Sequence, residues 1–227
     1  MERRPNARSG AVASAVSLRG AVVLLGGFPA LAGADLEVVP GEVVLVRGPN
    51  GAGKSTLLHL CAGLLRLSGG HGDVLGCDLH ADRAAVRRRV GLLGHDTALY
   101  GELSAAENLE VWARASRVAE ADVPGALDRL GLPPRLRDVP TARLSAGQRR
   151  RVALAAIVVR RPELWLLDEP HAGLDSDGRE IVDGLVAAAA AAGAAVVLAS
   201  HETGPAGGLA TGTVTMAGGT LSEGAQA

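Results

Sequence analysis

Gly48-Pro-Asn-Gly-Ala-Gly-Lys-Ser-Thr56 is the stretch from which the rest of this chain can be read. From Gly48 to Ser55 it fits G-x-x-x-x-G-K-[ST], between an apolar run, Val43 to Val46, and a segment of apolar periodicity beginning at Thr56. Strand, glycine-rich loop and helix start follow in the order a phosphate cradle needs. Gly48, Gly51 and Gly53 let the backbone turn tightly, so that consecutive N–H groups converge on one anion. The helix that follows adds its positive dipole end. The whole run, Gly48, Pro49, Asn50, Gly51, Ala52, Gly53, Lys54, Ser55 and Thr56, therefore reads as a nucleotide grip. Lys54 would neutralise the β- and γ-phosphates, and the Ser55 hydroxyl would ligate Mg²⁺.

Composition sharpens that reading. Of 23 lysines and arginines, Lys54 is the single lysine. Every other cation is the planar guanidinium, and the compact ammonium stands where a flexible point charge suits a phosphate. A chance glycine-rich turn would not account for that usage, nor for the flanking strand and helix. The 227 residues are enough to bury a large core, and with 2% aromatics that core is made of Leu, Val and Ala. A net charge of −1 with interspersed signs gives no general nucleic-acid or lipid surface, so no nucleic-acid partner is expected. Cys61 and Cys77 lack metal-ligand spacing and read as reduced structural thiols. Met1 to Ser14 is polar, has no apolar h-region and reads as a flexible extension. The alanine-rich Leu185 to Ala199 is broken by Gly193 and too short to span a bilayer, so any membrane role would be borrowed from a partner chain.

Taken in order, Ala15 to Val46 carries three short apolar runs, Ala21 to Leu25, Leu36 to Val39 and Val43 to Val46, which read as antiparallel strands leading into the cradle. A helix over Thr56 to Leu65 should stop at Ser68-Gly69-Gly70, followed by a short strand near Asp73 to Leu75. Asp82 to Arg89 reads as helix and Val90 to Leu93 as strand. Helices then dominate: Ser104-Ala-Ala-Glu107 is a capping box opening a helix to about Arg117, and a second runs from about Glu120 to Leu130. Ser145-Ala-Gly-Gln148 is again a capping box, starting a helix that ends at Arg160-Arg161. Glu163-Leu-Trp-Leu-Leu-Asp168-Glu169 is an apolar strand with two carboxylates at its C-terminal end, where ligands bind in an open parallel sheet. Successive residues there point to opposite sides, which separates the roles of the two acids. Asp168 would reach the Mg²⁺ shell and Glu169 a water. A turn, Ala172 to Asp175, leads into a helix from Ser176 to about Ala192. A buried strand over Ala194 to Ala199 follows and ends at Ser200-His201, on the same rim. Short strands near Thr213 to Met216 and Thr220 to Ser222 add an edge hairpin.

In this order the motifs make the chain resemble the nucleotide-binding subunit of an ATP-binding cassette (ABC) transporter, over about Ala15 to Glu223. The match is an ordered set: phosphate loop, helical insert, signature Leu144 to Gln148, Walker B Leu164 to Glu169, D-loop Ala172 to Asp175 and switch His201. The implied fold is α/β: a P-loop NTPase sheet with an antiparallel β subdomain and an all-helical insert, about residues 96–160, in one ABC ATPase domain spanning 15–223. The resemblance implies ATP and Mg²⁺ as cofactors, and two cassettes packed head to tail as a homodimer or heterodimer. Ser145, Gly147 and Gln148 of one chain would then close over ATP on the other's phosphate loop. It implies Glu169 as general base, His201 as γ-phosphate switch and Asp175 as a link across the dimer. It further implies a separate transmembrane permease, with this chain at the cytoplasmic face of the membrane.

The chain departs from the family pattern at three places. His95 stands where the family has a glutamine that reaches Mg²⁺ and water. Leu25 replaces the aromatic that stacks on adenine, with Phe28 as a substitute, and Ala146 replaces the first signature glycine. Gly94-His95 and Glu102-Leu-Ser-Ala-Ala-Glu-Asn108 look most like the cytochrome c biogenesis ATP-binding subunits linked to haem export. The remaining possibilities are an exporter ATPase of the ABC-2 type for another cargo and a soluble, non-transport cassette. The interval between Lys54 and Leu144 holds no heptad run, and no second phosphate loop exists, which weighs against cassettes of DNA repair or the ribosome. A GTPase would need an Asn-Lys-x-Asp reader, which a chain with one lysine cannot supply.

Overall fold

The computed structural model describes residues 13–118, 122–201 and 208–223. The expected N-terminal extension lies almost wholly outside them. Two sheets share one chain. In the first, β1 (Val16–Leu25) pairs antiparallel with β2 (Phe28–Val38) on one side and β4 (Gly69–Val74) on the other, with the two-residue β5 (Cys77–Asp78) at the edge. In the second, β3 (Val43–Arg47), β6 (Val90–Leu93), β7 (Leu164–Asp168), β8 (Ala195–Ser200) and β9 (Gly212–Ala217) run parallel, and β10 (Thr220–Glu223) closes one edge as the antiparallel arm of a hairpin. The order is β10-β9-β3-β8-β7-β6.

The inner parallel strands β3, β7 and β8, with β6 beside them, are buried on both faces, which explains their unbroken apolar runs, while β9 is partly exposed. Alternation divides them cleanly. Val44 and Val46 of β3, Leu164 and Leu166 of β7 and Val197 of β8 pack toward the antiparallel sheet and helix α1 (Lys54–Cys61). Val43, Leu45, Trp165, Leu167, Val196 and Leu198 pack toward the helices of the opposite layer. Those are α3 (Ala105–Ala115), α4 (Asp122–Arg129), α5 (Ala146–Arg160) and α6 (Ser176–Ala191), while the short α2 (Arg83–Arg89) packs beside β6. Cys61 is fully buried on α1, and burial pushes its thiol up to about 12.

Two sequence expectations change. The run Val43 to Val46 belongs to the parallel sheet, flanked by β8 and β9, not to the antiparallel strands before it. Its four residues are all buried, a two-sided burial that an edge of the antiparallel sheet could not provide. The glycines expected to end the first helix instead open β4: α1 stops at Cys61, and Gly69-Gly70 are drawn into pairing with β1. Cross-strand partners outweigh local propensity there.

Within the helical layer α3 packs on α4 and α5, and α5 in turn meets β6. The Ser104 cap of α3 is a reciprocal capping box with Glu107, as expected. Asn108 is fully buried, and its amide is shared among the carbonyls of Tyr100 (3.0 Å), Leu103 (3.2 Å) and Ser104 (2.9 Å) while its oxygen accepts the Tyr100 N–H (2.8 Å). That side chain braces a loop also paired by the Thr141 N–H to Leu103 (2.9 Å) and the Ala142 N–H to Gly101 (3.0 Å). Asn108→Ala should lower unfolding free energy by about 1–3 kcal/mol through the lost amide bonds and the Tyr100 N–H left unpaired, measured by urea unfolding.

Candidate active site

The parallel strands end on one rim, with Arg47 in register with Ser200 and Asp168 with Ala199. The cradle continues from β3 onto that rim. Gly53 has φ 110° and begins α1; a Cβ there would lie 2.7 Å from the Ala30 carbonyl oxygen, and one on Gly48 would lie 2.3 Å from the Met216 carbonyl oxygen. Only glycine lets the loop run between these two backbones. Lys54 is 7% exposed, and its Nζ donates to the carbonyls of Gly48 (2.7 Å) and Pro49 (3.1 Å), fixing the ammonium over the loop. An ammonium has three donors, so one remains for the cleft.

The two acids at the end of β7 separate. Asp168 shares the parity of Leu164 and Leu166, faces α1, and its Oδ2 accepts the Ser55 hydroxyl at 2.6 Å. Glu169 turns the other way. Its Oε1 accepts the His201 backbone N–H (2.8 Å) and lies 2.7 Å from His201 Nδ1, while its Oε2 accepts the Ser200 hydroxyl (3.1 Å). With the proton on Nδ1 the ring donates to the carboxylate and leaves Nε2 as an acceptor. The Glu169 backbone is left-handed, with φ 47°.

A cleft of about 440 Å³ opens over these groups. Asn50, Gly51, Gly53, Lys54, Ser55 and Thr56 form its floor, and Asp168, Glu169 and the exposed His95 stand on its wall. Pro29, Ala30, Gly218 and Gly219 complete it. Leu25 and Phe28, 46% and 78% exposed, lie at the β1–β2 turn immediately before Pro29. The glycine pair of the last hairpin is a site element that its sequence did not disclose: it reads as an ordinary turn, and only the bonds from Gly219 N–H to Ala52 (3.0 Å) and from Ala32 N–H to Gly219 (2.8 Å) bring it to the cradle. Ser200 was equally silent, although it adjoins His201.

Gly48, Pro49 and Ala52 lie behind the cleft lining and His201 joins it through Glu169, whereas Ser145, Gly147, Gln148 and Asp175 do not line this cleft at all. Ser145 is exposed and caps α5, accepting the Gln148 N–H (3.2 Å) while Gln148 Oε1 accepts the Ser145 N–H (2.9 Å). Asp175 caps α6 through the Gly178 N–H (2.9 Å), and that bond first, with Arg151 beside it, holds its carboxyl below the usual carboxylate range. The residues gathered in one chain thus include a phosphate grip, two oxygen donors and a buttressed carboxylate, while a second anion-receptive helix end faces outward.

The sequence pattern of the ABC transporter family matches residues 31–172. The chain belongs to that family and is an ATP-binding cassette ATPase. It is 44% identical over 172 residues to the cytochrome c biogenesis ATP-binding export protein CcmA of Bordetella bronchiseptica, covering 75% of this chain and 76% of that protein. It is 40% identical over 192 residues to the daunorubicin resistance ATP-binding protein DrrA3 of Streptomyces coeruleorubidus, covering 83% of this chain and 60% of that one. Among solved structures it superposes on an ATP-binding subunit of an ABC transporter with TM-score 0.85 at 26% identity, over 92% of this chain and 89% of the other.

Lys54→Ala should weaken ATP binding by about tenfold or more, the worth of a charge-assisted hydrogen-bond set, while leaving the thermal midpoint of the nucleotide-free protein nearly unchanged. Equilibrium titration with a fluorescent ATP analogue checks it.

Proposed function

We propose that this chain is the ATP-hydrolysing motor of an ABC exporter, paired with a second cassette and coupled at the cytoplasmic face to a separate membrane-spanning permease. Residues 15–223 form its single ATPase domain, with residues 96–160 as the helical part. No helix among the described residues is long and apolar enough to cross a membrane, which fits a motor that borrows its membrane path. The observation that carries the proposal is the Glu169 carboxylate, buttressed by Ser200 and His201 on the wall of the same cleft as the Lys54 cradle.

In this reading the backbone N–H groups from Gly51 to Thr56 and the Lys54 ammonium hold the β- and γ-phosphates. The hydroxyl of Ser55 and the carboxylate of Asp168 are hard oxygen donors already within 2.6 Å of each other, the chemistry and spacing suited to a shared Mg²⁺ that keeps waters and phosphates as its other ligands. When bound, that ion would draw charge from the phosphate oxygens. Glu169 accepts a proton from the attacking water, a contribution of about 10²–10⁴ in rate. His201 orients Glu169 through Nδ1 and offers its other face to the γ-phosphate. His95 stands on the cleft wall where it can contact the water or the ion's hydration shell. Ser145, Gly147 and Gln148 serve the nucleotide of the second cassette, because the first turn of α5 presents unpaired N–H groups that no ligand of its own chain's cleft meets. Asp175 follows on the D-loop and links the two sites.

Haem export for cytochrome c maturation is the cargo reading favoured by the likeness to the Bordetella protein. Export of another cargo is the second reading, supported by comparable identity to the daunorubicin resistance protein. Co-purification with a membrane partner, identified by mass, separates them.

Glu169→Gln should abolish turnover while ATP still binds and an ATP-bound dimer accumulates on gel filtration; undiminished phosphate release would remove Glu169 from the role of base. His95→Gln should leave the steady-state ATPase rate intact or raise it, and a large loss would show His95 to be specifically tuned.

A further inference from the structure

Helix α5 does more than end in an exposed cap. Its first two turns lie along residues 168–175, the segment that carries both carboxylates and the D-loop. At the first contact Gly147 presses on Gly173 so closely that a Cβ would sit 2.6 Å from the Gly173 carbonyl oxygen. One turn on, Arg150 is 7% exposed; its Nε donates to the Pro170 carbonyl at 3.2 Å, and one of its terminal nitrogens donates to the carbonyls of Asp168 and Glu169. Arg151 then pairs with the Asp175 carboxylate. Residues 147, 150 and 151 are spaced i, i+3, i+4, so one helix stripe grips the whole segment.

We propose that Arg150 is a positioning residue for Glu169, binding the carboxylate's backbone to the helix whose tip serves the opposite nucleotide. This rests on the roles given above to Glu169 and Ser145. Three successive carbonyls converge on one guanidinium where Glu169 takes a left-handed turn, a conformation unfavourable for a non-glycine residue. A planar fork of five donors in fixed geometry can hold three such acceptors together; an ammonium has three donors but no fork to spread them, and a primary amide has only two. Burial pushes the Arg150 pKa down, while the Asp168 and Glu169 carboxylates push it back, so the cation is held by the same residues it organises. A buried cation is costly unless fully bonded. Here its bonds go to the backbone of residues 168–170, the place where a small shift re-aims Glu169.

The lever is short and stiff. Four helical residues separate Ser145 from Arg150, with no break between them. A displacement of the helix tip by the second cassette's nucleotide must therefore move the backbone of Glu169 or break the clamp. Each chain thereby reports the state of the neighbouring nucleotide to its own base.

The test uses the full-length protein with ATP and Mg²⁺. Arg150→Gln should lower kcat by about 10- to 100-fold, the cost of misplacing a catalytic group by about an ångström, with ATP affinity measured by titration unchanged. Arg150→Lys should recover part of the rate. In Arg150→Ala, added guanidinium ion should restore kcat, a rescue that a merely structural arginine would not show. Parental kcat in Arg150→Gln, or a loss matched by equal loss of ATP affinity without guanidinium rescue, overturns the proposal. If Arg150 variants do not fold, Gly147→Ala displaces the same helix without removing a charge, and parental kcat there overturns it equally. Glu169→Gln run in parallel separates the two failures. Full turnover in that variant defeats the assignment of the base, whereas a silent Glu169→Gln beside a fully active Arg150→Gln defeats only the positioning role.

Discussion

Two-sided burial of β7 is the constraint on which the site depends. A strand covered on both faces must send alternate side chains into opposite layers, which aims Asp168, its last residue; the left-handed turn at Glu169, just past the strand, sends the second acid another way. Asp168 is delivered to the α1 side, against Ser55, and Glu169 to the side of Ser200 and His201. Two carboxylates on neighbouring residues would otherwise share one site and raise each other's pKa. That separation sets an oxygen donor beside Ser55 and a buttressed carboxylate apart from each other within the same cleft.

The same geometry explains why the cradle sits where it does. β3 lies between β8 and β9 in mid-sheet, so its loop emerges beside the end of β8 and within reach of β7. The Ser145 cap of the helical layer is exposed and outside the cleft. A chain built this way holds the Lys54 cradle and the Glu169 carboxylate together but keeps the Ser145 helix end apart from both.

Much of this was legible because it is local. A phosphate loop, two capping boxes and a carboxylate pair on an apolar strand are each written within a few residues, and all fall where expected. So does the placing of His201 on the common rim. What could not be read depends on partners far along the chain. Val43 to Val46 looks the same in either sheet until β8 and β9 are known to flank it. Gly69-Gly70 reads as a helix stop because its β1 partner, Arg19 to Val22, lies some fifty residues earlier. Gly219 and Arg150 gain their meaning from Ala32, Ala52 and the carbonyls of residues 168–170, none of which leaves a mark in the flanking sequence.

The solitary lysine has a corollary for covalent chemistry. This polypeptide offers reagents that acylate ε-amines one address alone, and that address is tucked against two carbonyls at the floor of the nucleotide cleft. Any enzymatic or chemical tag that requires a lysine side chain must therefore compete with the nucleotide for the same atom, so such labelling becomes a gauge of occupancy and can never be a mark on an indifferent surface.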